Sequence, residues 1–371
     1  MMKRFLKVFV LSLSPDNIEI MSHQTFIYKK RFQLENGLSL PQLEIAYHTY
    51  GTLNSDKSNV IWVAHALTAN SDVFDWWSGL FGENDLFNPQ DYFIVCANNL
   101  GSCYGTTGPL SINPDTNEPW FSYFPQITIR DMANTLNVLK QHLGIEKIHT
   151  LIGGSQGGQI AQEWVLQFPE VTENLILIAT NAQHSPWGIA FNESQRLAIK
   201  ADRTYLGNTI NGGEKGLQAA RSIALLSYRN YNTYNSTQKN NGHNNINNHA
   251  ASSYQRYQGE KLVKRFNAYS YVRLSEAMDS HNVARERAYS LETVLNDIDI
   301  PTLVIAVTSD VLFPVNEQQL LAKGIKDSVY KEIDSLYGHD GFLIETKQLT
   351  EHIKQFYQTH NKEQLEKIVI N

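Results

Sequence analysis

Residues 149–170 read HTLIGGSQGGQIAQEWVLQFPE, and the fold turns on how the GGSQG at 153–157 is read. A β-favouring apolar run precedes it and a helix-forming segment follows. Glycine inside regular structure costs conformational entropy, so four glycines around Ser155 mark a backbone that goes where other residues cannot. The form is G-x-S-x-G at a strand-to-helix junction, which lifts the serine on a strained turn while the glycines let strand and helix pass closely. A phosphate-binding loop fits less well. No lysine follows as in GxxxxGK[ST], and the G-x-G-x-x-G spacing is absent. Ser155 is therefore a candidate nucleophile.

Outward from this junction the pattern alternates. LEIAYHTYG (43–51), NVIWVAHAL (59–67), YFIVCANN (92–99), IHTLIGG (148–154), LILIAT (175–180) and PTLVIAVTSD (301–310) read as strands. Several are near-continuous apolar runs, as in a parallel sheet buried on both faces. IRDMANTLNVLKQHLG and QIAQEWVLQF read as helices between them. The fold class is α/β, doubly wound. With 371 residues, 42% of them hydrophobic, the chain can bury a large core. A net charge of −6 without a basic stripe argues against nucleic acid and for a small-molecule substrate. Two cysteines are too few for a disulfide scaffold, and Cys96, inside an apolar run, reads as core.

Three segments depart from the alternation. MMKRFLKVFVLSLS has a basic, apolar start but no small-residue cleavage pattern after it, so 1–25 is read as a disordered lead or a start-site artefact. No run approaches a membrane span, and the expected location is cytoplasmic. From 182 to 295 the periodicity is helical, giving an inserted cap between core segments 26–181 and 296–371. Within it, 230–253 is Asn-rich and nearly devoid of aliphatic residues, and is expected to be a disordered loop.

A serine hydroxyl needs a base, and on this fold the partners follow in the order Ser, Asp, His. Asp310 ends a strand at its carboxyl edge, where ligands bind in open α/β sheets. His339 follows in SLYGHDGF, between glycines. The Gln156 amide, after the nucleophile, and that of Leu67, in WVAHALTAN, are the expected oxyanion donors. His65 in that stretch reads as a structural histidine.

The chain also carries AYHTYGTLN, HALTAN, NNLGSCYGTTGPLSINP, FPQITIRDM, GGSQGGQIAQEW, ESQRLAIKAD, ARSIALLSYR, YQGEKLVKRFNAYSYVRLSEAMDSH and GHDGF, several of which serve no general hydrolase purpose. From Phe26 to His352 the chain resembles the homoserine O-acyltransferase (homoserine O-acetyltransferase) family of the α/β-hydrolase superfamily. The resemblance implies acyl transfer from acetyl-CoA to L-homoserine in methionine biosynthesis, by a ping-pong route. Acyl-CoA would be co-substrate, with no other cofactor and no metal, and the protein would be a homodimer through cap helices. It implies Ser155, Asp310 and His339 as the triad, Leu67 and Gln156 as oxyanion donors, and Arg221, Tyr228 and Asp340 as acceptor-binding residues. That chemistry is sound: an arginine fork suits a carboxylate and an aspartate an ammonium. A succinyl donor, an L-serine acceptor, or an esterase in which water takes the acyl group remain alternatives. The chain departs from the family in having Gln156 where methionine is common, which predicts a polar side chain bordering the acyl site. Ala69 stands for glycine, and Asn267 and Asn282 stand for aspartates.

Overall fold

The computed structural model describes residues 23–240, 246–287 and 290–369. Its centre is an eight-stranded sheet: β1 (Gln24–Tyr28), β2 (Leu43–Tyr50), β3 (Val60–Ala64), β4 (Phe93–Ala97), β5 (Ile148–Gly154), β6 (Thr172–Ile178), β7 (Thr302–Val307) and β8 (Ser328–Ile333). The spatial order is β1-β2-β4-β3-β5-β6-β7-β8. From β4 to β8 every pairing is parallel, while β2 runs antiparallel to both β1 and β4. The apolar runs predict this burial, and the two faces feed separate cores. On β3, Val60, Trp62 and Ala64 pack with helices α1 (Ile129–His142) and α2 (Gln156–Gln167), while Ile61 and Val63 pack with Trp77, Phe81 and Ile353. Cys96 is fully buried in the second core.

Residues 1–22 of the expected lead lie outside the described residues. Its boundary at 25 falls inside the sheet, because β1 already begins at Gln24 and pairs with Tyr47. Between β6 and β7 the insertion is helical: α3 (Pro186–Ala201), α4 (Glu214–Tyr228), α5 (Tyr231–Thr237), α6 (Ala250–Val263) and α7 (Ala268–Asp279). Residues 291–296 form one more short helix, whose Leu295 packs beside Gly324 at the end of α8 (Val315–Gly324) and so belongs with the core. The helix α9 (Thr346–Val369) closes the chain.

The Asn-rich segment 230–253 is only in part the loop its composition predicts: its ends are helical, in α5 and from Ala250 in α6, while the described residues between them lie in neither helix nor strand. Asn230 caps α5: its side chain accepts from the Thr233 amide at 2.9 Å, and Thr233 Oγ1 accepts from the Asn230 amide at 3.4 Å. Asn240 accepts from the Ala250 amide at 2.8 Å, where α6 starts. Polar side chains here order the backbone by capping helices, a source of stability that aliphatic content does not report. Residues 241–245 of the segment lie outside the described ones. Asn267 and Asn282 also accept backbone N–H groups through Oδ1, from Ser270 and Ala284, as aspartates in those places could.

The end of the insertion is tied to the core by charge. Arg285 and Arg287 bond Glu35 and Glu163, and Arg130 on α1 bonds both carboxylates, at 2.7 to 3.1 Å. Glu163 is almost fully buried, so its cost of desolvation is offset by two arginines.

The glycines at 153 and 157 answer to close approach. A Cβ on Gly157 would lie 1.9 Å from the Ala64 carbonyl oxygen, and one on Gly153 would lie 2.3 Å from the Gly157 oxygen. Both obstacles are backbone. Gly157→Ala is therefore expected to destabilise the fold by about 2–4 kcal/mol through overpacking, read as a lower denaturant midpoint at unchanged slope. An unchanged midpoint would show that α2 can move off β3 freely.

Candidate active site

The turn between β5 and α2 places Ser155 at φ 55° and ψ −125°, a left-handed conformation that costs a non-glycine residue about 1–3 kcal/mol. Bonds on both sides hold it there. The Ser155 amide donates to the Ile178 oxygen at 3.0 Å, and its carbonyl accepts from Thr180 Oγ1 at 2.8 Å. The hydroxyl consequently stands above the carboxyl edge of the sheet.

Two loops at that edge bring the expected partners to it. His339 Nε2 lies 2.9 Å from Ser155 Oγ, and its Nδ1 lies 2.6 Å from Asp310 Oδ2. The other Asp310 oxygen accepts from the amides of Leu312 and Phe313 at 2.8 and 2.9 Å, which fixes the carboxylate's direction. Phe313 stacks on the imidazole at 5.0 Å and Phe342 meets it edge-on at 5.4 Å. Burial of the imidazole disfavours its charged form, but the Asp310 charge and hydrogen bond outweigh burial, with Asp340 adding to them, and the His339 pKa is raised. An acidic partner on one nitrogen and a hydroxyl on the other make this a proton relay able to activate Ser155.

The Gln156 amide lies in the first turn of α2, where helical N–H groups have no intrahelical partner. Leu67 lines the same cavity as Ser155. The loop after β3 is held by His65, which is fully buried. Its Nε2 accepts from the Asn99 amide at 3.0 Å, its Nδ1 bonds the Ala66 carbonyl at 2.8 Å, and burial lowers its pKa to about 4. Both nitrogens are spent on backbone.

The Gln156 side chain corrects an expectation. It does not border the acyl site; it is fully buried, donates to the Leu274 carbonyl of α7 at 3.0 Å and accepts from Asn99 Nδ2 at 3.4 Å. A long amide bonded at both ends points away from the cavity and joins the elbow to the insertion.

A cavity of about 570 Å³ opens over Ser155 and His339 and is also lined by Leu67, Arg221, Tyr228, Asp340 and Phe342. Arg221 and Tyr228 project from α4 two turns apart, the guanidinium 5.2 Å from the Tyr228 ring centre. Among the described residues Arg221 has no ion pair. An available cation on an aromatic wall and a carboxylate at Asp340 therefore share one space with the hydroxyl. Such a space can bind a zwitterion beside a reactive acyl group.

Sequence reasoning missed Arg229, whose Nη2 bonds Asp340 Oδ2 at 3.0 Å, and Asn230 and Thr233, which reach the triad loops. The one signal for Arg229 was its place beside Tyr228 in ARSIALLSYR.

A model of the α/β hydrolase fold family matches residues 59–346. The homoserine O-acetyltransferase of Cyclobacterium marinum is 47% identical over 341 residues, covering 92% of this chain and 97% of that one. That of Trichormus variabilis is 42% identical over 346 residues, covering 92% and 96%. The solved structure of homoserine O-acetyltransferase from Bacillus anthracis aligns with TM-score 0.83 at 26% identity, over 91% of this chain and 98% of that one. Esterase E22, at 24% identity and TM-score 0.83 over 90% and 99%, shares the fold. The chain belongs to the homoserine O-acetyltransferase family of α/β-hydrolase-fold acyltransferases.

Proposed function

We propose that the chain moves an acetyl group from acetyl-CoA to the hydroxyl of L-homoserine by a ping-pong reaction. The observation that carries this reading is that Arg221, Tyr228 and Asp340 line the same cavity as Ser155 and His339. Ser155 Oγ gives its proton to His339 Nε2 and attacks the thioester carbonyl, and the amides of Leu67 and Gln156 receive the developing oxyanion. The C–S bond breaks, and the CoA thiolate leaves with the proton from His339. The homoserine hydroxyl then loses its proton to the same nitrogen and attacks the acyl-enzyme, releasing the O-acetyl ester and restoring Ser155. Arg221 takes the acceptor's carboxylate and Asp340 its ammonium. Acyl-CoA is a co-substrate, and the steps call on no further cofactor or metal.

The wider setting follows from the same reading: an O-acylhomoserine product suits methionine biosynthesis. Trp187, Leu197, Leu226 and Tyr257 are exposed on the inserted helices, and Leu206 and Ile210 on the connection between α3 and α4, which supports a homodimer made through the insertion. Among the described residues no helix is long and apolar enough to cross a membrane.

The test is a matrix of acetyl-CoA and succinyl-CoA against L-homoserine, L-serine and water. Steady turnover to O-acetylhomoserine with the first of each is expected, and water should be the poorest acceptor. Equal acyl-CoA consumption with and without an amino acid would replace this reading with an esterase.

A further inference from the structure

The end of α4 lies against the loop that carries His339. A Cβ on Gly338, at φ 62°, would come 3.0 Å from the Tyr228 oxygen and 3.1 Å from the Arg229 carbonyl carbon. The Arg229 guanidinium sits 5.3 Å from the Tyr337 ring centre and binds Oδ2 of Asp340 at 3.0 Å. Its Nε and Nη1 are buried without a hydrogen-bond partner among the described residues. A half-buried guanidinium with two buried nitrogens unpaired is costly unless the carboxylate it holds has a place that matters.

Asp340 is the residue after His339 and lines the cavity with Arg221 and Tyr228. The imidazole is faced by Asp310 at one nitrogen, Ser155 at the other, and the rings of Phe313, Phe342 and Tyr228. Arg221 lies against the Tyr228 ring, and Asp340 is a second carboxylate acting on the imidazole. An unbalanced charge there would hold His339 protonated and cost it its function as a base.

We propose that Arg229 is a positioning residue: by binding Oδ2 it presents the other oxygen of Asp340 to the acceptor's ammonium, and by balancing the Asp340 charge it keeps His339 a base. The ammonium half of this rests on the homoserine reading. The charge half does not.

The experiment uses Arg229→Gln, Arg229→Lys and Asp340→Asn, each checked by thermal unfolding, with two readouts. The first is the pH dependence of the p-nitrophenol burst from p-nitrophenyl acetate, which needs neither CoA nor homoserine. In Arg229→Gln the acid limb is expected at higher pH, because uncompensated Asp340 stabilises the imidazolium. Arg229→Lys should restore it, and Asp340→Asn alone should move it to lower pH, which tests the idea even if Arg229→Gln fails to fold. The second is turnover of acetyl-CoA with L-homoserine, where the KM for homoserine in Arg229→Gln should rise about 10- to 100-fold, with a much smaller change in kcat. An acid limb that stays in place in Arg229→Gln and Asp340→Asn alike overturns the charge half, and an unmoved KM overturns the ammonium half. If the wild type fails to use homoserine at all, the substrate reading falls while the ester burst still decides the charge half.

Discussion

Ser155→Ala is expected to lower CoA release from acetyl-CoA by about 10⁴- to 10⁶-fold while the protein stays folded. The hydroxyl is the group the relay is built around, with His339 at 2.9 Å and Asp310 behind it at 2.6 Å. Stability should change little, because the turn is held through the Ser155 backbone, whose amide donates to the Ile178 carbonyl and whose carbonyl accepts from Thr180 Oγ1, and alanine keeps both bonds. Alanine also carries the same Cβ at positive φ, so the strain of the turn is common to both proteins. Single-turnover CoA release and thermal unfolding check the two halves of the expectation. Residual release within a few-fold of wild type would remove Ser155 from the role of nucleophile.

Arg221→Ala is expected to separate the two half-reactions of the proposed reaction. Its guanidinium lies against Tyr228 in the cavity, and the thioester step makes no use of an acceptor carboxylate. Losing a charged hydrogen bond in a partly desolvated site costs about 2–5 kcal/mol, which corresponds to a loss of tens- to thousands-fold in transfer to homoserine. The variant should still release a burst of CoA of about one per active site, then turn over slowly as water takes the acyl group. Rapid-quench measurement of CoA with and without homoserine distinguishes these phases. A variant that transfers to homoserine as wild type does would exclude Arg221 from acceptor binding.

The central strands were legible because burial on both faces leaves a near-continuous apolar run, as in β3, β4 and β7. The edge strands were not. β1 alternates between half-buried and exposed residues, and SVYKEI of β8 is polar and mostly half-buried, so neither carries that signature. Ser155 was legible for a related reason, since a backbone crowded to 1.9 Å admits only glycine and writes itself into the sequence. The pairing of Arg229 with Asp340 leaves no such trace. It joins residues more than a hundred positions apart, and while the resemblance marks Asp340 as an acceptor-binding residue, nothing in the sequence around Arg229 points to it. The helices in the Asn-rich segment escaped because capping, carried by single polar residues such as Asn230, has no period to detect.

Gln156 gives the elbow a second anchor, and with it a rule for traffic. Since its side-chain Nε2 donates to the Leu274 carbonyl of α7 at 3.0 Å, a swing of the inserted helices would pull on the first turn of α2, next to the nucleophile. Arg265 reaches the Thr68 carbonyl and Tyr104, and Trp187 donates to the Val311 carbonyl at 2.7 Å, so the roof is fastened at separate points around its edge. A roof fastened in this way is a vestibule rather than a hinged door. In the proposed reaction, donor and acceptor then occupy the same room by turns, and the departure of one guest is what admits the next.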